Sequence, residues 1–278
     1  MILKHYVQYW EQESIYMIKL VATDIDGTIL GKSGEFTQGV KDCIKTLQEK
    51  GIKVVIVTGR MHAGAKKIAK RLNLTTPVVS YQGGLIKDID GTVLYEKFLP
   101  ENIAKEIISW ANENNVHLNL YTNDMLYSEK DDDEIKRYAE YQELDYNVKD
   151  FLEIPMDKIN KLLAIDYNDK DRVTDWVNTM SKKYPNLHIV KSTPYFCEFS
   201  TNEATKACAV KFLEKYWNLK NEEILTIGDQ DNDIELLKAG GISVAMLNGT
   251  DTLKEYADYI TDSVDNDGFV KAINKFVL

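Results

Sequence analysis

Ile52-Lys-Val-Val-Ile-Val57 is apolar at five of its six positions. A strand formed there is buried on both faces, as strands inside a parallel sheet are. It belongs to a series. Ile18–Thr23 reads as a short apolar strand and Pro77–Tyr81 as another. Between the first two, Val40, Ile44 and Leu47 share one helical face, with Thr37 as N-cap and Gly51 as the stop. A second helix is expected at about Met61–Leu72. This βαβαβ rhythm points to a doubly wound α/β core. It returns near the C-terminus, with helices expected over Glu203–Trp217 and Asp231–Ala239 and strands over Ile224–Ile227 and Ile242–Met246. A short helix, a short strand at Tyr259–Thr261 and a last helix at Gly268–Val277 complete it.

The middle of the chain differs. No glycine occurs between Gly91 and Gly228. Strands are expected at about Leu118–Tyr121, Lys161–Tyr167, Leu187–Val190 and Tyr195–Phe199. Helices are expected at about Glu101–Asn114, Asp133–Glu143 and Asp171–Tyr184. Residues 85–199 therefore read as an inserted α+β domain, and 17–84 with 200–278 as a mostly parallel core. The first sixteen residues are too polar for a signal-peptide core. Either they are an N-terminal extension or the working chain begins at Met17, and no role is assigned to 1–16.

The 278 residues carry 34 Lys+Arg against 44 Asp+Glu, a net charge of −10. That argues against nucleic acid, whose phosphates select basic faces, and against anionic membrane. It leaves a small anionic substrate open, because a local cation overrides the global field. Cys43, Cys197 and Cys208 are odd in number and form no Cys-x-x-Cys. Reduced thiols in a cytoplasmic protein are expected. No run of 18 apolar residues occurs, so no membrane span is expected.

Chemistry concentrates just after the expected strands. Asp24-Ile25-Asp26-Gly27-Thr28 follows the first one. Residues two apart in an extended exit face one side, so Asp24 and Asp26 are expected to point together, suiting a metal site, an acid/base pair, or both. The same pentapeptide recurs at Asp88-Ile89-Asp90-Gly91-Thr92, between short apolar runs, where Asp90-Gly91 reads as a hairpin turn. Context decides between the copies. A calcium loop fails in both acid clusters, because Ile29 and Ile234 stand at the sixth position, where glycine is needed. Val57-Thr58-Gly59-Arg60 ends a buried strand before a helix, a junction able to hold phosphate or simply to N-cap. Gly228-Asp229-Gln230-Asp231-Asn232-Asp233 gathers acids that are costly together unless solvated or bound to a cation such as Mg²⁺. Lys206 lies early in the helix expected after the inserted domain; alone, it reads as a solvated charge.

In this order and spacing the segments resemble the haloacid dehalogenase-like superfamily of phosphatases, most closely its Cof-type branch with a large inserted cap. The resemblance spans about Met17–Leu278. Asp24-Ile-Asp-Gly-Thr28 is similar to the nucleophile loop, Thr58 to the phosphate-binding Ser/Thr, and Lys206, after Glu198, to the motif lysine. Gly228-Asp229-x-x-Asn232-Asp233 is similar to the metal motif, and Val244–Gly249 to a further family segment. One departure stands out: Gln82-Gly83 replaces the usual Asn-Gly, which puts a contact by that amide in question.

The resemblance implies a Rossmann-like core with an inserted α+β cap, and phosphoryl transfer through an aspartyl-phosphate. Asp24 is then the nucleophile and Asp26 the acid and base. Mg²⁺ is held by the carboxylates of Asp24 and Asp229 and the backbone carbonyl of Asp26, with Asp233 supporting. Thr58, Gly59, Lys206 and Asn232 bind the phosphoryl group. The substrate is expected to be a small phosphorylated metabolite: a sugar phosphate, a nucleotide or pyridoxal phosphate. His117, His188, Trp110 and Trp176 read as packing or surface. Two rivals share the chemistry. A phosphomutase depends on a sugar bisphosphate. A receiver-type phospho-acceptor is small and lacks a partner such as Asp26.

Overall fold

The computed structural model describes residues 17–278, so the segment 1–16 lies outside the described residues. The chain opens with β1 (Leu20–Thr23), α1 (Gln38–Glu49), β2 (Lys53–Ile56), α2 (His62–Arg71) and β3 (Val78–Ser80). The expected rhythm is there. Thr37 caps α1 by accepting from the Val40 amide. An antiparallel pair follows, β4 (Leu85–Lys87) and β5 (Val93–Glu96). Its turn is the second Asp-Ile-Asp-Gly-Thr copy, with the Gly91 amide donating to Asp88 O. Context did separate the two copies.

The middle continues with α3 (Glu101–Glu113), β6 (His117–Thr122), β7 (Met125–Ser128), α4 (Asp133–Gln142), β8 (Asn147–Val148), β9 (Ile159–Ile165), α5 (Lys170–Lys183), β10 (Leu187–Thr193) and β11 (Phe196–Thr201). The chain closes with α6 (Lys206–Tyr216), β12 (Ile224–Gly228), α7 (Ile234–Ala239), β13 (Ile242–Ala245), α8 (Asp251–Lys254), β14 (Tyr259–Ile260) and α9 (Gly268–Phe276). Two helix starts moved by three residues. The helix expected from Glu203 starts at Lys206, because Thr205 accepts from Cys208 N and caps it there. The helix expected from Asp231 begins as a tight turn over Asp231–Asp233 before α7.

β14-β13-β12-β1-β2 form a five-stranded sheet. All its pairs are parallel, and a bridge from Val57 to Val79 brings β3 alongside. The strands are apolar on both faces, and each face has its own cluster. Val21, Val54, Ile56 and Ile227 pack with α1, α2 and α9, whereas Leu20, Ala22, Val55 and Val57 pack with α6 and α7. This is a doubly wound α/β core. The second sheet, β10-β11-β9-β6-β7-β8, is mostly antiparallel. Trp110, Trp176 and Phe199 pack on one of its faces, and His117 is hydrogen-bonded to Asp132 and Asn119. Ile86 of β4 packs with Val55 and Val57, and Leu94 and Tyr95 lie against the same cluster. Ile86, Leu94 and Tyr95 thus pack on the parallel sheet, although the expected boundary at 85 grouped them with the inserted domain. The two sheets meet through Met61, Tyr81 and Leu85 on one side and Tyr121, Leu126, Tyr138 and Phe196 on the other.

Candidate active site

β12, β1, β2 and β3 run side by side, and their carboxyl ends deliver Asp229, Asp24, Thr58 and Gln82 to one edge. Ligands in open α/β sheets bind at that edge. Asp24, Asp26, Thr58, Gly59 and Asn232 all line a cavity of about 80 Å³ there. The antiparallel sheet closes its far side with Lys161, Glu198 and Phe196.

The acids sit as a buried cluster. Oxygens of Asp24, Asp229 and Asp233 lie within 4.8 Å of one another. Lys206 Nζ, 1% exposed, donates to Asp24 Oδ1 at 2.6 Å and to Asp233 Oδ1 at 2.5 Å. Asp233 Oδ2 accepts from the Asp229 and Gln230 amides, so both its oxygens are taken. Asp229 accepts from Thr28 Oγ1 at 3.0 Å and from Gln230 Nε2 at 2.9 Å. A side chain at Gly27 would run into the Asp229 carboxylate, and its φ of +85° also favours glycine.

Burial raises the Asp24 carboxyl well above the usual range; Lys206 opposes this, and Asp233 and Asp229 add to it. Asp229 is pushed up to about 7 by burial and then by Asp233. Burial alone would lower Lys206, but Asp233 and Asp24 hold it above the ordinary lysine range. The site concentrates more negative charge than one lysine neutralises, which is what a divalent cation relieves.

Asp26 faces the same cavity, but its carboxylate does not join this cluster. Arg60 grips it at both oxygens, Nε at 2.8 Å and a terminal nitrogen at 2.6 Å. The expectation that Asp24 and Asp26 turn to one cavity holds, while their partners are separate cations. Asn232 Nδ2 donates to Gln82 Oε1 at 3.3 Å, and Asn232 Oδ1 and Gln82 Nε2 are buried without a partner. The substituted amide therefore still faces the site. Gly59 leaves room for it: a side chain there would strike the Gln82 amide.

With that geometry in place, comparison with known proteins decides the family. The sequence model of the haloacid dehalogenase-like hydrolases matches residues 21–273. The chain belongs to the haloacid dehalogenase-like hydrolase family. As the motifs implied, it falls in that family's phosphatase branch. Phosphatase YwpJ of Bacillus subtilis is 28% identical over 282 residues, covering 90% of this chain and 97% of its own. Protein M6_Spy0533 of Streptococcus pyogenes serotype M6 is 30% identical over 270 residues, covering 94% and 99%. The crystal structure of TM0651 from Thermotoga maritima superposes with a TM-score of 0.81 at 30% identity, covering 94% of this chain and 98% of that one.

Two residues of this haloacid dehalogenase-like site escaped the sequence reading. Arg60 was noted only as a neighbour of Thr58. Lys161, 1% exposed, lies on β9, where it donates to Gly59 O at 2.8 Å and stands 3.1 Å from Glu198. A lysine inside Ile159-Asn-Lys-Leu-Leu-Ala-Ile165 was the available signal, since a strand that apolar buries a charge only beside a partner.

Proposed function

We propose that the protein is a Mg²⁺-dependent phosphohydrolase that frees phosphate from small phosphorylated metabolites through an aspartyl-phosphate on Asp24. The observation that carries this is the buried convergence of Asp24, Asp229, Asp233 and Lys206 at the ends of adjacent parallel strands. Residues 17–96 and 200–278 act as the catalytic core. The antiparallel domain within 85–199 acts as a cap that excludes water and meets the leaving group.

The donor set fits Mg²⁺: it is oxygen-only, anionic and under-neutralised. Asp24, Asp229 and the Asp26 carbonyl would hold the ion. Asp233, with both oxygens engaged, supports the shell. When bound, the ion offsets carboxylate charge against the anionic phosphoryl group.

Asp24 attacks phosphorus while the ester P–O bond breaks, and Asp26 gives the leaving oxygen a proton. Asp26 then takes a proton from water. That water attacks phosphorus, the Asp24–phosphorus bond breaks, and phosphate leaves with Asp24 restored. Thr58, the amides near Gly59, Lys206 and Asn232 hold the phosphoryl oxygens. With Arg60 occupying both Asp26 oxygens, one contact must open before Asp26 presents a proton to a leaving group.

Sugar phosphates, nucleotides and pyridoxal phosphate are the substrates to try first. Bacillus subtilis YcsE, 27% identical, is named a phosphatase of 5-amino-6-(5-phospho-D-ribitylamino)uracil, a substrate of the same general kind. Phosphate release over such a panel, with an aryl phosphate included, should require Mg²⁺. Release from no compound would exclude the proposal, and activity dependent on a sugar bisphosphate without net release would indicate a mutase.

A further inference from the structure

Helix α2 starts without a cap of its own. Met61 holds its N-cap position and makes no side-chain hydrogen bond, and the first turn carries no acid. The Ala63 amide in that turn nevertheless has a partner, Asp124 Oδ1, at 3.1 Å. Asp124 belongs to the other sheet, 61 positions along the chain. It sits with Asn123 at the tip of the β6–β7 hairpin, where Thr122 pairs with Met125. Asn123 and Asp124 have φ of 51° and 58°. Two left-handed residues in a two-residue turn match the twist of a hairpin, so the position of Asp124 is set by the sheet.

The same oxygen ties in a second element. Asp124 Oδ1 accepts from the Tyr81 hydroxyl at 3.3 Å, and the Tyr81 amide donates to Arg60 O at 3.0 Å. The next amide, Gln82 N, donates to Thr58 O at 3.0 Å. At the other end of the segment, Lys161 holds Gly59 O. Two side chains of the inserted domain thus hold both ends of residues 59–63, directly after Thr58.

We propose that Asp124 is a positioning residue for the phosphate-binding segment. By capping α2 from the inserted domain, it makes the geometry of Thr58 and Gly59 depend on that domain being seated. A carboxylate at a helix N-terminus satisfies an otherwise orphan amide and complements the dipole. Without it, the first turn of α2 gains freedom that phosphate binding must remove, which weakens binding and spares the chemistry of bound substrate. What the segment binds rests on the phosphatase reading above; that Asp124 orders it does not.

The test compares the parent with Asp124→Ala and Asp124→Asn. Its readouts are steady-state kinetics, inorganic phosphate binding with Mg²⁺ present, and amide exchange over residues 58–65. Asp124→Ala should raise both KM and the phosphate dissociation constant by about 2- to 30-fold, the range a lost N-cap is worth. Its kcat should stay near the parent's, and exchange at Ala63 should quicken. Asp124→Asn keeps an acceptor oxygen and should restore all three. The proposal is overturned if Asp124→Ala leaves phosphate affinity and Ala63 exchange at parental values. It is equally overturned if kcat falls with KM unchanged, or if Asp124→Asn behaves like alanine. A parent that hydrolyses no phosphate ester would count against the phosphatase reading alone, because exchange at Ala63 still decides whether Asp124 orders the segment.

Discussion

Asp24→Asn should lower phosphate release by more than about 10⁴-fold, the scale on which removal of a nucleophile acts, with the fold intact. The amide is nearly isosteric with the carboxylate but is a far weaker nucleophile. The structure also gives an expectation for stability. Asp24 is buried with Asp229 and Asp233, and their charges oppose its ionisation. Its replacement removes that repulsion but takes from Lys206 one of its two counter-charges, leaving Asp233 at 2.5 Å as the other. The two effects oppose each other, so the metal-free variant should melt close to the parent, and Mg²⁺ should protect it less. Far-ultraviolet dichroism and a thermal scan check the fold beside the assay. Activity within about threefold of the parent would remove Asp24 from the role of nucleophile.

Lys206→Met should produce the largest loss of stability at the site. The ammonium is 1% exposed and bridges two carboxylates. Methionine fills similar volume but leaves Asp24 and Asp233 buried without their cation. Removing one partner from a buried ion pair costs about 3–5 kcal/mol, because the charge left behind is neither solvated nor paired. Denaturant melts of the metal-free protein should show a loss of that order, and phosphate release should fall to background. Mg²⁺ should recover part of the stability, since it neutralises the same acids, without recovering the activity. A variant as stable as the parent would mean that Asp24 and Asp233 do not depend on Lys206 for their charge.

Much of the core was legible because its signals are local. Ile52–Val57 is apolar enough to demand burial on both faces, and Asp24, Thr58 and Asp229 each sit directly after such a strand. Lys206 became interpretable only in company, since a single lysine carries no signal without the spacing of the other segments. The edge of the inserted domain was harder. Residues 85–96 have short apolar runs that fit either body, and Ile86 settles against Val55 and Val57 only in the folded chain. β7 and β8 were missed because Met125–Ser128 and Asn147–Val148 are too short for a clear period of two. The grips of Arg60 on Asp26, Lys161 on Gly59 and Asp124 on Ala63 join residues 34, 102 and 61 positions apart. Pairing at such distances is created by the docking of the two sheets and leaves no local pattern.

The central claim, a covalent phosphoryl group on Asp24, is tested most directly by trapping it. An aryl phosphate has a leaving group that needs little protonation, so Asp26→Asn should still be phosphorylated and should then lack the base that activates water. Mixed with an aryl phosphate and Mg²⁺ and quenched in acid, this variant should gain the mass of one phosphoryl group, on the peptide that contains Asp24. The double variant with Asp24→Asn should gain none. An Asp26→Asn protein that turns over at the parental rate without accumulating the adduct, or that carries the group on any other residue, would contradict the account.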